Sequence, residues 1–316
     1  MWPYVVKRLL QMVPVLLLVT FMVFSMLLLI PGDPVRAIVG SGEALDKEQL
    51  EALRHELNLD KPIPVQYFIW LSRAVQGDFG RSNQTKKPVL VEIKNRLPVT
   101  IQLGLAAFLL SIVIALPAGI ISAVRRGSRL DFAATVLSMG GVAMPGFWLG
   151  ILLILLFGVT LHWLPTNGFV SLVDQPFTGL KHLILPAISL GVTGTALNMR
   201  QIRSSMLEVL AQDYVRTARA KGLAERSVIW VHALKNALLP VVTITALQIG
   251  RLLGGAVVIE TLFALPGMGR LMVNAVFLRD IPVVQTSVLL VAAAVLLSNL
   301  IADLIYAWLD PRIRYV

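Results

Sequence analysis

Six apolar runs, separated by polar stretches, leave this chain few ways to fold. They are Leu9–Ile30, Thr100–Val124, Ala133–Leu161, Leu183–Leu197, Ala237–Leu262 and Val283–Leu309. About 20 apolar residues in a helix match the hydrocarbon thickness of a bilayer, where every backbone polar group must be bonded internally. With 56% hydrophobic and only 15% charged residues among 316, the chain lacks the polar surface that a soluble domain of this length needs. The expected fold is an all-α integral membrane protein with six transmembrane helices. The fourth run is the weakest; it is expected to continue as helix through Asn198 and Arg200.

A signal peptide is the rival reading of the first run. Its 22 residues are too long for one, and Pro31-Gly32-Asp33-Pro34 follows in place of a small-residue cleavage pattern. Between the first two runs lies a polar segment with its own helical signals. Asp46 and Gln49 have capping-box character ahead of Leu50, Leu53 and Leu57, which share one face. After Pro62 and Pro64, the stretch from Val65 to Leu71 reads as an amphipathic helix at the membrane surface, and Gly77-Asp78-Phe79-Gly80 as a turn. The expected organisation is a first helix in 1–30, an ordered extracytoplasmic cap in 31–97, a five-helix core in 98–310 containing a cytoplasmic loop at 200–236, and a tail at 311–316.

Charge fixes the expected orientation. With six spans, one side of the membrane receives fourteen basic and five acidic residues, whereas the polar segment Pro31–Pro98 carries ten and nine. The positive-inside bias therefore places both termini and the 200–236 loop in the cytoplasm. The formal net charge of +10 does not signal nucleic acid, because the basic residues lie between apolar runs and form no contiguous face. Absence of cysteine excludes disulfides, thiolate metal sites and cysteine nucleophiles. The sequence contains no GxxxxGK[ST] phosphate loop, no HExxH and no GxSxG turn, and its four histidines are scattered. ATP energy, if used, must come from another subunit.

The chemistry-bearing stretch is Asp213–Gly222, DYVRTARAKG, a short helix in the largest polar gap of the second half. Asp213 is placed to accept from first-turn N–H groups, Arg219 and Lys221 suit the negative end of the helix dipole, and Gly222 is fitted to a left-handed stop. Eight residues give about 12 Å of helix. A capped basic knob between apolar runs suits either a partner's groove or an ordinary connecting loop. Polar residues within runs are fewer. Arg251 and Gln248 lie inside the fifth, Asp303 inside the sixth, and Asn198, Asn274 and Asn299 add amides; these line a path or hold helices together. Gly146–Gly150 and Gly250–Gly254 have the spacing of close helix packing. Leu265-Pro266-Gly267-Met268-Gly269-Arg270, after the fifth run, reads as a re-entrant or interfacial turn on the outer side.

Taken together these residues resemble the membrane permease subunits of binding-protein-dependent ABC importers, in the dipeptide, oligopeptide and nickel branch. RTARAKG at Arg216–Gly222 is similar to the family's cytoplasmic EAA loop. Arg216 and Thr217 stand where the general pattern has Glu and Ala, and Ala218 and Gly222 match it. Further similar segments run along the chain: PGDP at Pro31–Pro34, LNLDKP at Leu57–Pro62, GDFGRS at Gly77–Ser82, RLPVTIQLG at Arg96–Gly104, HALKNALLPVV at His232–Val242, ETLFALPGMGRL at Glu260–Leu271 and RDIPVVQ at Arg279–Gln285.

The resemblance implies the type I importer permease fold in a bacterial inner membrane. It also implies a second homologous permease, two cytoplasmic ATPase subunits holding ATP and magnesium, and an extracytoplasmic substrate-binding protein, with no cofactor in this chain. Asp213, Tyr214, Arg216, Thr217, Ala218, Ala220, Lys221 and Gly222 would dock on the ATPase. Arg251, Gln248, Glu260, Pro266, Gly267, Gly269 and Arg270 are candidates for the path or its outer gate. Di- and oligopeptides are the expected cargo; glutathione, nickel chelates and haem are alternatives within the branch. A self-contained secondary transporter would call for internal repeats and midplane ion ligands, and an intramembrane enzyme for a nucleophile–base pair; neither pattern is evident.

Overall fold

The computed structural model describes residues 2–29, 46–56 and 58–309. PGDP, the remainder of 30–45 and the 311–316 tail lie outside the described residues. Among those described the chain is helical, with one isolated antiparallel bridge between Arg81 and Pro88. The helices are α1 (Trp2–Leu29), α2 (Lys47–Glu56), α3 (Ile63–Val75), α4 (Val89–Val124), α5 (Arg129–Ala143), α6 (Gly146–Leu153), α7 (Pro176–Leu210), α8 (Asp213–Ala220), α9 (Leu234–Leu262), α10 (Met268–Phe277) and α11 (Ile281–Leu309). Among the described residues four helices (α1, α4, α7 and α11) are long and apolar enough to cross a membrane, and five if the bent α5–α6 pair counts as one.

That bent pair covers the run Ala133–Leu161, expected as one span. Met144 and Pro145 both adopt extended backbone, and the helix axis bends by 107° between the two halves. The proline ring disfavours the helical region for the residue before it, so the helix stops there and restarts after Pro145. The second half then widens into a π-helical turn over Ile154–Thr160. The short fourth run needs no such break. It is the middle of the 35-residue α7, which extends past Asn198 and Arg200 to Leu210. Within these helices, hydroxyls donate to the carbonyl four residues back: Thr20 to Leu16, Ser189 to Leu185, Thr195 to Gly191 and Thr245 to Val241. Such back-bonding satisfies a hydroxyl without a partner helix.

The chain forms two compact units, Met1–Pro98 with Gly267–Leu296, and Val99–Pro266 with Leu297–Val316. In the first, α3 is fastened to α1 through Tyr67, whose buried hydroxyl lies 2.8 Å from the Thr20 hydroxyl and donates to Leu17 O at 3.1 Å. The Phe21 and Phe24 rings pack on Tyr67. A core of Val89, Ile93, Met268, Ala275, Val283 and Val284 joins α4, α10 and α11. Asp280, between α10 and α11, is buried and accepts from the Ser82 hydroxyl and from Asn83 N (3.1 Å). GDFGRS and RDIPVVQ are thus bonded to each other.

In the second unit α7 is central. One cluster gathers Ala115 and Ile120 of α4, Met199, Ile202 and Met206 of α7, and Ala237 and Val241 of α9. Another joins Val99 and Leu103 to Leu183, Leu185, Ile259 and Phe263. The Gly146–Gly150 spacing serves the close packing expected of it. A Cβ at Gly146 would sit 2.5 Å from Ser189 O, and one at Gly150 would sit 2.7 Å from the Leu262 side chain. In the second such pair, the side chains of 251–255 lie outside the described residues.

Candidate functional site

The eight residues of α8 form a helix whose polar sequence supports only a two-residue seat. Val215 is fully buried and Ala218 nearly so; both pack with Val228, Val209 and Leu210. Burying Val215 contributes about 2 kcal/mol, enough to hold a helix too short to persist alone in water. At the N-terminus the expectation is corrected by one residue. Gln212 occupies the cap position without a side-chain cap bond, and Asp213 is the first helical residue. Its carboxylate favours the positive end of the dipole there and meets Arg216 at 3.4 Å. At the other end Gly222 has φ +76°, Gly222 N donates to Arg219 O at 2.9 Å and Leu223 N to Ala218 O at 3.4 Å. This two-bond closure needs the left-handed conformation that glycine adopts without strain.

Side-chain links, among them a 3.5 Å bond from the Tyr214 hydroxyl to His232 O, fix α8 to the chain on its C-terminal side. Asn236 Nδ2, in the first turn of α9, donates to the Tyr214 hydroxyl at 2.8 Å. Arg219 donates both Nη2 and Nε to Glu225, at 2.7 and 3.2 Å. That bidentate contact holds the Glu225 carboxyl below its ordinary value and raises Arg219. With these ties made, Asp213, Tyr214, Arg216, Thr217, Ala220, Lys221 and Gly222 remain exposed as one surface. Ala218 does not belong to that surface, because it faces the seat.

The segments entering and leaving this loop are bonded more deeply than the sequence suggests. Asp131, buried at the start of α5, accepts from Arg203 Nε (2.7 Å) and Nη2 (2.9 Å), from Gly127 N (2.9 Å) and from the Ser122 hydroxyl. In the sequence Asp131 and Arg203 are only loop charges. Their 72-residue separation carries no periodicity that would pair them. Farther along α7, Asn198 is the hub of a buried polar layer. It donates to Ser111 Oγ at 3.4 Å and accepts from Gln248 Nε2 (3.0 Å) and Thr245 Oγ1 (3.4 Å). The layer thereby joins α4, α7 and α9. Gly194 keeps it open, since a Cβ there would lie 3.2 Å from Gln248 Oε1.

The remaining candidates fall in different places. Glu260 is fully buried and accepts from the Thr100 hydroxyl at 2.5 Å. Helix α9 ends just beyond it, with Leu265 N donating back to Glu260 O at 2.8 Å around a left-handed Ala264. Pro266 is half-buried, Gly267 and Gly269 are buried, and Arg270 lies partly exposed in the first turn of α10. The expected turn is thus a helix stop followed at once by a new helix. The Arg251 side chain lies outside the described residues.

Residues 115–315 match the family described as "Binding-protein-dependent transport system inner membrane component", and residues 1–104 match its N-terminal counterpart. The chain is 43% identical to the di/tripeptide transport system permease protein DppB of Pseudomonas aeruginosa, covering 100% of this chain and 99% of that protein. It is 44% identical to a putative peptide transport system permease protein of Brucella abortus, over 98% of each chain. It is 42% identical to the glutathione transport system permease protein GsiC of Escherichia coli, over 99% of each. The chain therefore belongs to the inner membrane components of binding-protein-dependent transport systems, as a multi-pass membrane protein.

Proposed function

We propose that this protein is a permease subunit of an ATP-driven importer of small peptides, contributing one half of a path completed by a second homologous permease. In this reading six helices cross the membrane, counting α9 and the bent α5–α6 pair, and both termini and α8 face the cytoplasm. Of the segment 31–97, the described residues 46–56 and 58–97 form an outer cap toward a substrate-binding protein. ATP and magnesium belong to two partner ATPase subunits. The observation that carries the reading is α8 itself, a short helix seated by Val215 and Ala218, tied to α9 through Tyr214 and Asn236, with its other face open. A helix so held transmits displacement without deforming. Closure of an ATPase pair on it would shift α7 and α9, and with them the Asn198 layer. ATP drives that change through its differential affinity for the two states, as any population shift requires.

Peptide cargo is supported by the two peptide-transport relatives. Glutathione is the second reading, because the glutathione permease is nearly as similar and its cargo is itself a small peptide. The testing variant is Arg216→Glu with Ala220→Glu, on the exposed face of α8. We expect normal membrane insertion, at least tenfold less ATPase subunit retained on purification, and loss of peptide uptake. Undiminished ATPase retention and uptake would refute the docking role.

A further inference from the structure

Three of the segments that carry the family resemblance meet around a single cavity in the first compact unit, and the docking function does not use it. The cavity holds about 190 Å³. Its walls include Asn58 and Leu59 of LNLDKP, Phe79 of GDFGRS, and Ile281, Pro282 and Gln285 of RDIPVVQ. Phe24 and Leu28 of α1, Trp70 and Arg73 of α3, and Asp78 beside Phe79 also line it. Two hydrogen-bond donors in this lining are buried without acceptors. Gln285 is 1% exposed, and among the described residues neither its Nε2 nor Trp70 Nε1 has a partner. A buried donor left unpaired costs about 1–3 kcal/mol, so two on residues that line one cavity mark a place where acceptors are supplied from outside the chain.

The lining defines the chemistry of the missing group. The unpaired atoms are both N–H donors, and the exposed Arg73 guanidinium in the same lining adds further donors, while the Asp78 carboxylate, also in the lining, already accepts from Gly80 N at 2.9 Å; the ligand therefore presents acceptor oxygens. The rest of the wall is largely apolar, so the ligand also has a hydrocarbon part. Outside the cavity, Met26 and Leu29 at the end of α1 and Phe68 of α3 are 65–71% exposed. Exposed apolar side chains of that size beside a membrane-crossing helix belong against lipid, not water. We infer that this cavity binds a glycerophospholipid, with Trp70, Gln285 and Arg73 receiving its ester and phosphate oxygens and the α1 side receiving its acyl chain. Lipid there would bridge α1, α3 and the start of α11. This inference does not depend on the cargo.

The test uses the full chain purified with its partners in mild detergent, comparing wild type with Trp70→Phe, Gln285→Leu and Arg73→Ala. Native mass spectrometry and phosphorus analysis of extracted lipid read phospholipid retained per chain. Loss of one donor should lower retention about fivefold to tenfold. Arg73→Ala, on an exposed position, should lower retention of phosphatidylglycerol more than of phosphatidylcholine and leave the helical content unchanged. After delipidation Gln285→Leu should melt no lower than wild type, because it removes an unpaired donor; after dioctanoyl phosphatidylglycerol is restored, wild type should gain more. Equal retention in all four proteins would overturn the inference, leaving water as the partner of both donors. Displacement of the lipid by millimolar inorganic phosphate would also overturn it, assigning the donors to a free anion.

Discussion

Single side chains decide whether the polar atoms in this apolar protein stabilise or destabilise it. Asp131 is buried, yet four donors compensate it, chiefly the two nitrogens of Arg203. Asp131→Asn keeps the shape but removes the charge opposite Arg203 and turns one acceptor into a donor facing donors. The expected cost is about 2–3 kcal/mol, the range for a charged hydrogen bond beside a partly exposed arginine. A lowered thermal midpoint, with the protein still inserted, checks it, and Arg203→Met combined with Asp131→Asn should recover part of the loss. Gln248 and Asn198 can be picked out in the sequence as amides inside apolar runs. Their direct bond cannot, because their 50-residue separation follows no helical period.

Elements differ in how they are held, and α8 is held most locally. Its stop and exposed basic face are readable from Arg219 and Gly222, and its start to within one residue from Asp213, because capping acts within one turn. The inward turn of Ala218 is not readable, since the residues that cover it, Val209, Leu210 and Val228, come from either side of the loop. Ala218→Glu should therefore act differently from Arg216→Glu. Burying an unpaired carboxylate would unseat the whole helix, and increased protease cleavage at Arg219 and Lys221 would report it. The Arg219–Glu225 pair gives this loop a pH dependence. The Glu225 value is depressed in the folded loop, so its contribution is present above the ordinary 4.5 and disappears as pH falls through the lowered value. Because both side chains are about half exposed, the contribution is a few tenths of a kcal/mol. Amide exchange at Gly222 and Leu223 should be flat from pH 8 to 5, after correction for intrinsic rates, and should show added opening only below that window.

At the scale of the whole molecule, the prediction concerns sidedness. The chain contains no cysteine, so single cysteines report position without background. Arg126→Cys and Ala220→Cys, both at exposed positions, should react with a membrane-impermeant maleimide only after the inner face is opened. Val173→Cys, at a site 83% exposed between the π-helical turn and α7, should react in intact cells. Labelling of all three from one side would refute the six-span orientation. The two compact units make a second point at this scale. Each has its own buried core, and α4 contributes to both, so a substitution in that helix affects whichever core its residue occupies.

The motifs carried the family by resemblance, and the sequence by itself determined that the chain is helical, that it lives in a membrane and which loop is the basic knob. Those properties rest on apolar run length, charge asymmetry and residues within one or two helical turns of each other, all of which are local along the chain. Only the tertiary structure decided the rest. It broke the third run at Met144-Pro145 and buried Glu260 against Thr100. It also paired Asp131 with Arg203 and brought LNLDKP, GDFGRS and RDIPVVQ around one cavity. The physical reason is that a buried polar group takes its partner from whichever helix packs beside it. In a chain of long apolar helices, that neighbour can lie about 70 to 200 residues away.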